Sequence, residues 1–145
     1  MITKELGSLE LRYVPDSDSI VPSAGRHLPY VGSGEGSIEG PRLRGRLRFS
    51  AFEDELRGSS VVRGDEACAL NLAATISTTD GAMVRLEALG YALREVGTRW
   101  QTALAVRLAS DDPRYAWVGD GAASWLGWFD EATGVAGARL LSVAI

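Results

Sequence analysis

The sequence predicts an all-β fold: an antiparallel up-and-down β-barrel of about eight strands. Residues 32–45 hold five glycines and a proline, and they lead directly into an alternating Arg/Leu segment that ends at Phe49. Glycines inside a strand pattern mark bends or close backbone approaches, which a closed sheet requires. Short alternating segments separated by turn signals recur along the rest of the chain, and almost no helical periodicity is present. Such a barrel either fills its interior with side chains or encloses one small ligand.

Composition narrows the class of protein further. The 145 residues fit a single domain over 1–145, and the net charge of -4 argues against non-specific nucleic-acid binding. No apolar run approaches the roughly 20 residues of a membrane-spanning helix, and no signal peptide is seen. The lone Cys68 excludes an internal disulfide, so we expect a cytoplasmic protein. One histidine and one cysteine cannot make the usual metal-ligand sets, and we expect no cofactor.

The first half of the chain contains three predicted strands. Alternation over Leu9–Tyr13 predicts the first, and the proline-containing residues 15–23 predict a loop. The second strand begins within His27–Val31 and continues through the glycine-rich bend. Arg42–Phe49 is the third, with arginines facing outward and leucines inward; a groove for an anionic ligand is the alternative. Residues 53–65 are charged and aperiodic, which predicts a loop.

The second half contains five predicted strands and two turns. The strands are Cys68–Ser77, Met83–Leu89, Trp100–Leu108, Ala122–Phe129 and Gly137–Ile145. Asp80-Gly81 predicts a tight hairpin, because both residues readily adopt positive φ. Asp112 followed by Pro113 predicts a capped helical turn that runs to Trp117. Residues 130–136 form the last turn.

Three elements in this order resemble the domain-of-unknown-function 3237 family of small bacterial and fungal proteins. They are the Glu39-Gly40-Pro41-x-Leu43-x-Gly45 bend, the Thr78–Ala82 hairpin and Tyr115-Ala116-Trp117. The resemblance covers nearly the whole chain and implies a calycin-like barrel of about eight strands. It implies no assigned activity. Members usually carry an acidic residue and an arginine ahead of the hairpin, where this chain has Asn71 and Ala73, so a cavity lined by that face would be less polar.

Five residues are candidates for catalysis. Arg85 and Glu87 share a strand face. If they point inward, they would orient a carbonyl group and move a proton; if they point outward, they form a surface pair. Val84 and Leu86 fill the other face, which favours the outward orientation. Glu39 in the bend is a candidate general base or a solvent-facing turn carboxylate. Asn71 would donate a hydrogen bond to a developing enolate, or lies on an outer polar face. His27, the only histidine, is the natural candidate for a general acid or base near neutral pH; a structural or exposed residue is the alternative.

Candidates for substrate binding are mostly aromatic and concentrate in the last third of the chain. Tyrosine and tryptophan suit ligand pockets and dimer interfaces alike, although plain core packing is the alternative. Trp125 and Trp128 are three residues apart, so they should point to opposite faces. Cys68 is interpreted as a small buried hydrophobe rather than a nucleophile. The substrate-binding candidates are Tyr30, Thr75, Trp100, Tyr115, Trp117 and Trp128.

Three functions remain open on the sequence. The first, which we favour, is a cofactor-independent enzyme of specialised metabolism, either a cyclase, an isomerase or a lyase. It would hold an apolar substrate with a carbonyl or enone group inside the barrel and act on it by confinement and a few hydrogen bonds. The second is a non-catalytic barrel that binds a small apolar molecule. The third is a structural homodimer with a filled barrel. A carboxylate or histidine inside a wide cavity would favour the first, an apolar cavity the second.

Overall fold

The computed structural model describes residues 2–14, 30–53, 67–95 and 97–144 and forms a closed antiparallel barrel. Each strand pairs with the next, and β8 closes the sheet against β1. The predicted fold class is therefore confirmed. The strands are β1 Ile2–Tyr13, β2 Tyr30–Glu39, β3 Gly45–Glu53, β4 Ala67–Thr78, β5 Met83–Arg94, β6 Arg99–Ala109, β7 Ala122–Asp130 and β8 Val135–Ala144.

The glycines of β2 permit a close approach to β1. A side chain at Gly36 would overlap the carbonyl oxygen of Glu10, and one at Gly34 would overlap that of Arg12. Both glycines lie on the inward-facing register of β2, opposite Leu11 and Tyr13 of β1. The glycine-rich stretch is thus a strand whose missing side chains allow the sheet to close.

Several predicted boundaries differ from those in the structure. Most strands extend past their predicted limits, because pairing continues on both sides of each strand in a closed sheet. The third strand starts later, at Gly45, since residues 41–44 connect β2 to β3. The predicted loop 15–23, the start of the second strand at 27–29 and residues 54–65 lie outside the described residues.

Burial alternates over the Arg/Leu part of β3 as the sequence predicts, whereas Ser50, Phe52 and Ala73 are buried on the outward register of β3 and β4. In β3, Leu47 and Phe49 are buried while Arg46 and Arg48 are exposed, so the basic residues form an outer face. The inward residues of all eight strands make one apolar cluster. Among the described residues, no helix combines the length and apolar composition that would carry it across a bilayer.

A 3₁₀ helix, Pro113–Gly119, covers one end of the barrel. Asp112 caps it by accepting a hydrogen bond from the backbone N–H of Arg114, as the Asp-Pro signal predicts. Tyr115 and Val118 are buried beneath the helix, and the Tyr115 hydroxyl donates to Asp80 Oδ1 at 2.8 Å. We call this end, which also includes the 79–82 hairpin, the closed end. At the opposite end, the described residues include the β5–β6 and β7–β8 turns; we use the name open end for it.

Candidate functional site

A layer of small side chains crosses the barrel interior near the open end. Strand register places one inward residue from each of several neighbouring strands in this layer, and none is larger than threonine. The members are Cys68, Ala92, Thr102, Gly127 and Ala138. The next layer toward the closed end contains Leu70, Gly90, Leu104, Trp125 and Leu140, and is bulkier in every strand except β5. Small residues above a packed floor leave a space that side chains do not fill.

That space is a cavity of about 150 Å³. Its walls are aliphatic and aromatic, and Tyr13 lies edge-on to Phe49 at 5.1 Å and against Phe129 at 4.9 Å between ring centroids. The Tyr13–Phe49–Phe129 cluster forms one side near the open end. The lining residues are Leu11, Tyr13, Phe49, Cys68, Leu70, Leu72, Ala92, Trp100, Thr102, Leu104, Trp125, Trp128, Phe129 and Glu131.

Thr102 supplies a polar group within this apolar wall. Its Oγ1 is fully buried and has no hydrogen-bond partner among the described residues. A buried hydroxyl without a partner is unfavourable by about 1–3 kcal/mol, so such a group needs a bound water, ion or ligand as its partner. The hydroxyl would satisfy itself by donating to an acceptor atom placed in the cavity.

Glu131 lies at the mouth of the cavity, in the β7–β8 turn. Its Oε1 accepts a hydrogen bond from Trp100 Nε1 at 2.6 Å and forms an ion pair with Arg94 at 3.5 Å. The Arg94 guanidinium also stacks over the Trp100 ring, 4.4 Å from its centroid. This arrangement holds a carboxylate and an indole in fixed positions where a ligand would enter.

The rest of the β7–β8 turn is also held by hydrogen bonds. Asp130 accepts from the Thr98 hydroxyl and from the backbone N–H of Ala132, and these bonds lower the pKa of its carboxyl. Trp128 lines the mouth from the outward register of β7, with Arg99 stacked 4.5 Å from its ring centroid. The mouth is therefore formed by a hydrogen-bonded turn and by the Trp100 and Trp128 indoles, each with an arginine stacked over its ring.

Cys68 is half-buried and lines the cavity. Its Sγ contacts the backbone oxygen of Ala69 at 3.7 Å, the geometry of a weak hydrogen bond. Strand register places it two strands away from Thr102 in the same layer. The thiol is thus a cavity group, rather than the simple core hydrophobe that the sequence indicates.

The structure places four of the predicted catalytic residues outside the cavity. Glu39 is exposed and pairs with Arg44 at 2.8 Å, and Arg85 is exposed and pairs with Asp111 at 3.2 Å. Glu87 lines a groove of about 290 Å³ between β4, β5 and β6 on the outer surface, in line with the outward orientation that the sequence favours for this pair. These residues occupy the strand positions that alternate with the buried ones, so the predicted roles in an interior site are corrected.

The face of β4 that carries Asn71 and Thr75 is also an outer face. Leu70, Leu72, Ala74 and Ile76, which alternate with them, are the ones in the core. Asn71 lines the outer groove, and Thr75 pairs in register with Arg48 and Arg85, both exposed. Because this face is directed outward, Asn71 and Ala73 do not set the polarity of the cavity.

The predicted aromatic residues divide between the two ends. Trp100 and Trp128 line the mouth of the cavity, and Trp125 is buried in its floor, so Trp125 and Trp128 face opposite sides as predicted. Tyr115 and Trp117 lie at the closed end, where Tyr115 caps the barrel. Hydrogen bonding to Asp80 raises the pKa of the Tyr115 phenol, and bonds from Thr78 and Tyr115 lower that of Asp80.

Two predicted site residues receive no side-chain description. His27 lies outside the described residues, and Tyr30 is described only as the first residue of β2, opposite Phe52. Sequence reasoning missed Thr102, Glu131 and the position of Cys68. A usable signal existed for Thr102, because it is the one polar residue on the otherwise apolar inward face of Trp100–Leu108.

The outer surface of β5–β7 exposes a second apolar feature. Leu89, Tyr91, Leu93 and Leu126 are 52%, 42%, 47% and 48% exposed, and strand register brings Tyr91 and Leu126 to either side of Ala103. Outward-facing apolar groups that cluster in this way are typical of interaction surfaces.

No protein-family model matches the sequence, and no curated protein matches it at a significant level. Solved structures with the same fold do match. A beta-barrel like protein from Acinetobacter baumannii has a TM-score of 0.69 at 12% identity, with 99% of this chain and 96% of that chain covered. A protein of unknown function from Clostridium acetobutylicum has a TM-score of 0.67 at 14% identity, with 99% and 100% covered.

An enzyme from Penicillium herquei is a further structural neighbour. Its TM-score is 0.56 at 16% identity, with 96% of this chain and 93% of that chain covered. At this level of identity, the three comparisons establish a shared barrel fold. They assign no activity to this chain.

Proposed function

We propose that this protein binds a compact, mostly apolar molecule with a carbonyl or enone group in the open-end cavity, and acts on it as a cofactor-independent isomerase, cyclase or lyase. The observation that carries the proposal is the buried Thr102 hydroxyl, which has no partner among the described residues and lies in an apolar cavity. A carbonyl oxygen of the ligand is the acceptor to which the Thr102 hydroxyl would donate its hydrogen bond. The Penicillium herquei neighbour, described as an enzyme, adds support from fold alone.

The cavity volume limits the ligand. At about 150 Å³ it is suited to a benzene-sized molecule, and it is smaller than the roughly 300 Å³ at which pockets for larger ligands begin. A larger substrate would insert one ring or one short chain and leave the remainder at the mouth, against Trp100 and Trp128. Burial of the inserted part against leucine and aromatic side chains supplies the affinity.

The side chains present support proton-transfer chemistry on such a carbonyl compound. The Thr102 hydroxyl would donate to the carbonyl oxygen and stabilise the enolate that forms when a neighbouring C–H bond is broken. Glu131 at the mouth, or Cys68 once its thiol has lost its proton, would accept that proton and return it to a different carbon. Isomerisation by this route consumes no co-reactant. The walls restrict the substrate to few conformations, which favours cyclisation in the same manner.

Binding is tested with a matched pair of probes, 2-cyclohexenone and cyclohexene. Titration followed by NMR should show saturable binding of both, with the enone about fivefold tighter because of one hydrogen bond. Ala92→Leu, which fills the small-residue layer, should abolish binding, whereas the same exchange at exposed Ala109 should leave it intact. Equal binding to all three proteins would contradict a ligand site in this cavity.

Catalysis is tested separately by hydrogen exchange. 2-Cyclohexenone incubated in D₂O with the protein should incorporate deuterium next to the carbonyl group, and Glu131→Gln or Cys68→Ala should identify the base. Glu10→Gln, an exposed carboxylate on the outer face of β1, is the matched control. Binding without any exchange would favour the second function, a barrel that carries an apolar molecule without turnover.

Native mass spectrometry of freshly purified protein, followed by denaturing extraction, addresses the natural ligand. A co-purifying small apolar molecule would identify the substrate class.

The filled-barrel alternative is disfavoured by the cavity itself. Membership of the domain-of-unknown-function 3237 family, a role in specialised metabolism and a cytoplasmic location that suits the lone Cys68 thiol are further parts of the proposal.

A further inference from the structure

A second cavity, of about 320 Å³, lies at the closed end. It is bounded by the 3₁₀ helix, the β2–β3 connection and the ends of β1, β6, β7 and β8, and its lining shares no described residue with that of the open-end cavity. Val106, Leu108 and Val118 form a buried apolar floor. Trp117 forms part of the wall and is half-buried.

Three cationic side chains line this cavity: Lys4, Arg42 and Arg107. Among the described residues, none of the three forms an ion pair. The lining also has two acidic residues, of which Glu5 is already paired with Arg139 at 3.3 Å. The second, Asp120, is exposed. The cavity therefore has an excess of positive charge, although the whole chain has a net charge of -4.

Arg42 is held in place without losing its hydrogen-bond donors. Its guanidinium lies over the Trp117 ring, 3.9 Å from the ring centroid. Stacking of this kind restricts the position of the guanidinium while its N–H groups remain directed to the side. A planar fork of donors fixed at the edge of a cavity is suited to a carboxylate or phosphate, which it can contact through two hydrogen bonds.

We propose that the closed end is a second binding site, which takes a small organic anion with an apolar body. The anionic group would lie between Lys4 and Arg42, with Arg107 at the rim. The apolar body would pack against the Val106, Leu108 and Val118 floor and the Trp117 ring. A floor without polar groups would not by itself select an inorganic ion, which is the reason for assigning an organic ligand.

Benzoate and its neutral isostere benzamide are the probes that separate charge from shape. The ¹⁵N–¹H spectrum reports the indole N–H of each tryptophan, and Trp117→Phe assigns the signal at the closed end. Benzoate should shift the Trp117 signal saturably and bind at least about tenfold tighter than benzamide, since one charge-assisted hydrogen bond has that value. The affinity should fall as salt is raised.

Lys4→Gln and Arg42→Gln should each weaken benzoate binding about tenfold. Arg46→Gln, which removes the same charge from an exposed position outside the cavity, is the matched control and should have no such effect. Lys4 forms no stacking contact, so it remains informative if Arg42→Gln disturbs the Trp117 packing and the fold.

Four results would overturn the proposal. Benzamide would bind as tightly as benzoate, or the Lys4 and Arg42 variants would bind benzoate like the control. Shifts confined to the Trp100 indole would place benzoate at the open end instead. Inorganic phosphate that binds as tightly as benzoate would show a plain anion site and reject the organic ligand. The open-end function would be unaffected in each case.

Discussion

Replacement of Thr102 by valine should make the protein more stable and a poorer binder of carbonyl compounds. Valine has the shape and branching of threonine, so the strand and its packing are retained, while a hydroxyl that has no partner among the described residues is removed. An unsatisfied buried hydroxyl is unfavourable by about 1–3 kcal/mol, and a methyl group in its place gains apolar burial. We expect the free energy of unfolding to rise by about 1–2 kcal/mol.

The expected rise in melting temperature follows from the size of the chain. An unfolding entropy of about 2.1 cal/mol/K per residue gives roughly 0.3 kcal/mol/K for the 145 residues, so each kcal/mol corresponds to about 3 °C. Thr102→Val should therefore melt about 3–6 °C higher by calorimetry. In the same protein, its preference for 2-cyclohexenone over cyclohexene should disappear.

Ser50 provides the control for this argument. It is also fully buried, but its hydroxyl lies 2.7 Å from that of Ser33, so its removal breaks an existing hydrogen bond. Ser50→Ala should lower the free energy of unfolding by about 1 kcal/mol. If Thr102→Val is destabilised to the same degree, the threonine hydroxyl has a partner in solution. Thr102 would then not be available to donate a hydrogen bond to a ligand.

Three further predictions concern closure, the closed end and assembly. Gly36→Ala should lower the free energy of unfolding by more than about 2 kcal/mol, because the new methyl group meets the backbone of β1, whereas Gly119→Ala, with its nearest neighbour at 3.7 Å, should change urea unfolding little. The pKa of Tyr115 is raised mainly by its hydrogen bond to Asp80, so the protonated phenol stabilises the folded state. This stabilisation is complete below the unfolded pKa of about 10 and is lost as the pH rises through the folded pKa. Tyr115→Phe should therefore flatten the fall of the melting temperature above about pH 10, and equal slopes for the two proteins would contradict this. We expect a homodimer that associates through the exposed apolar surface of β5–β7, so Leu126→Glu should convert a dimer to a monomer in light scattering, and a monomeric wild type would reject this.

Local sequence pattern was sufficient for the fold. Alternation over the Arg42–Phe49 segment separates inward leucines from outward arginines, and Asp80-Gly81 defines a hairpin, since both features depend only on neighbouring residues. The site residues were harder to predict. Glu39, Arg85 and Glu87 have the right chemistry but lie on the outside, and chemistry alone gives no orientation.

The sequence by itself determined that the chain would form a barrel from alternating strands with glycine-permitted bends. Only the tertiary structure decided which side chains meet inside it. Cys68, Ala92 and Thr102 come from three different strands, and the register of the closed sheet brings them into one layer that lines the cavity. The cavity exists because several small side chains coincide there, and that coincidence depends on the pairing of distant strands, which no local pattern encodes.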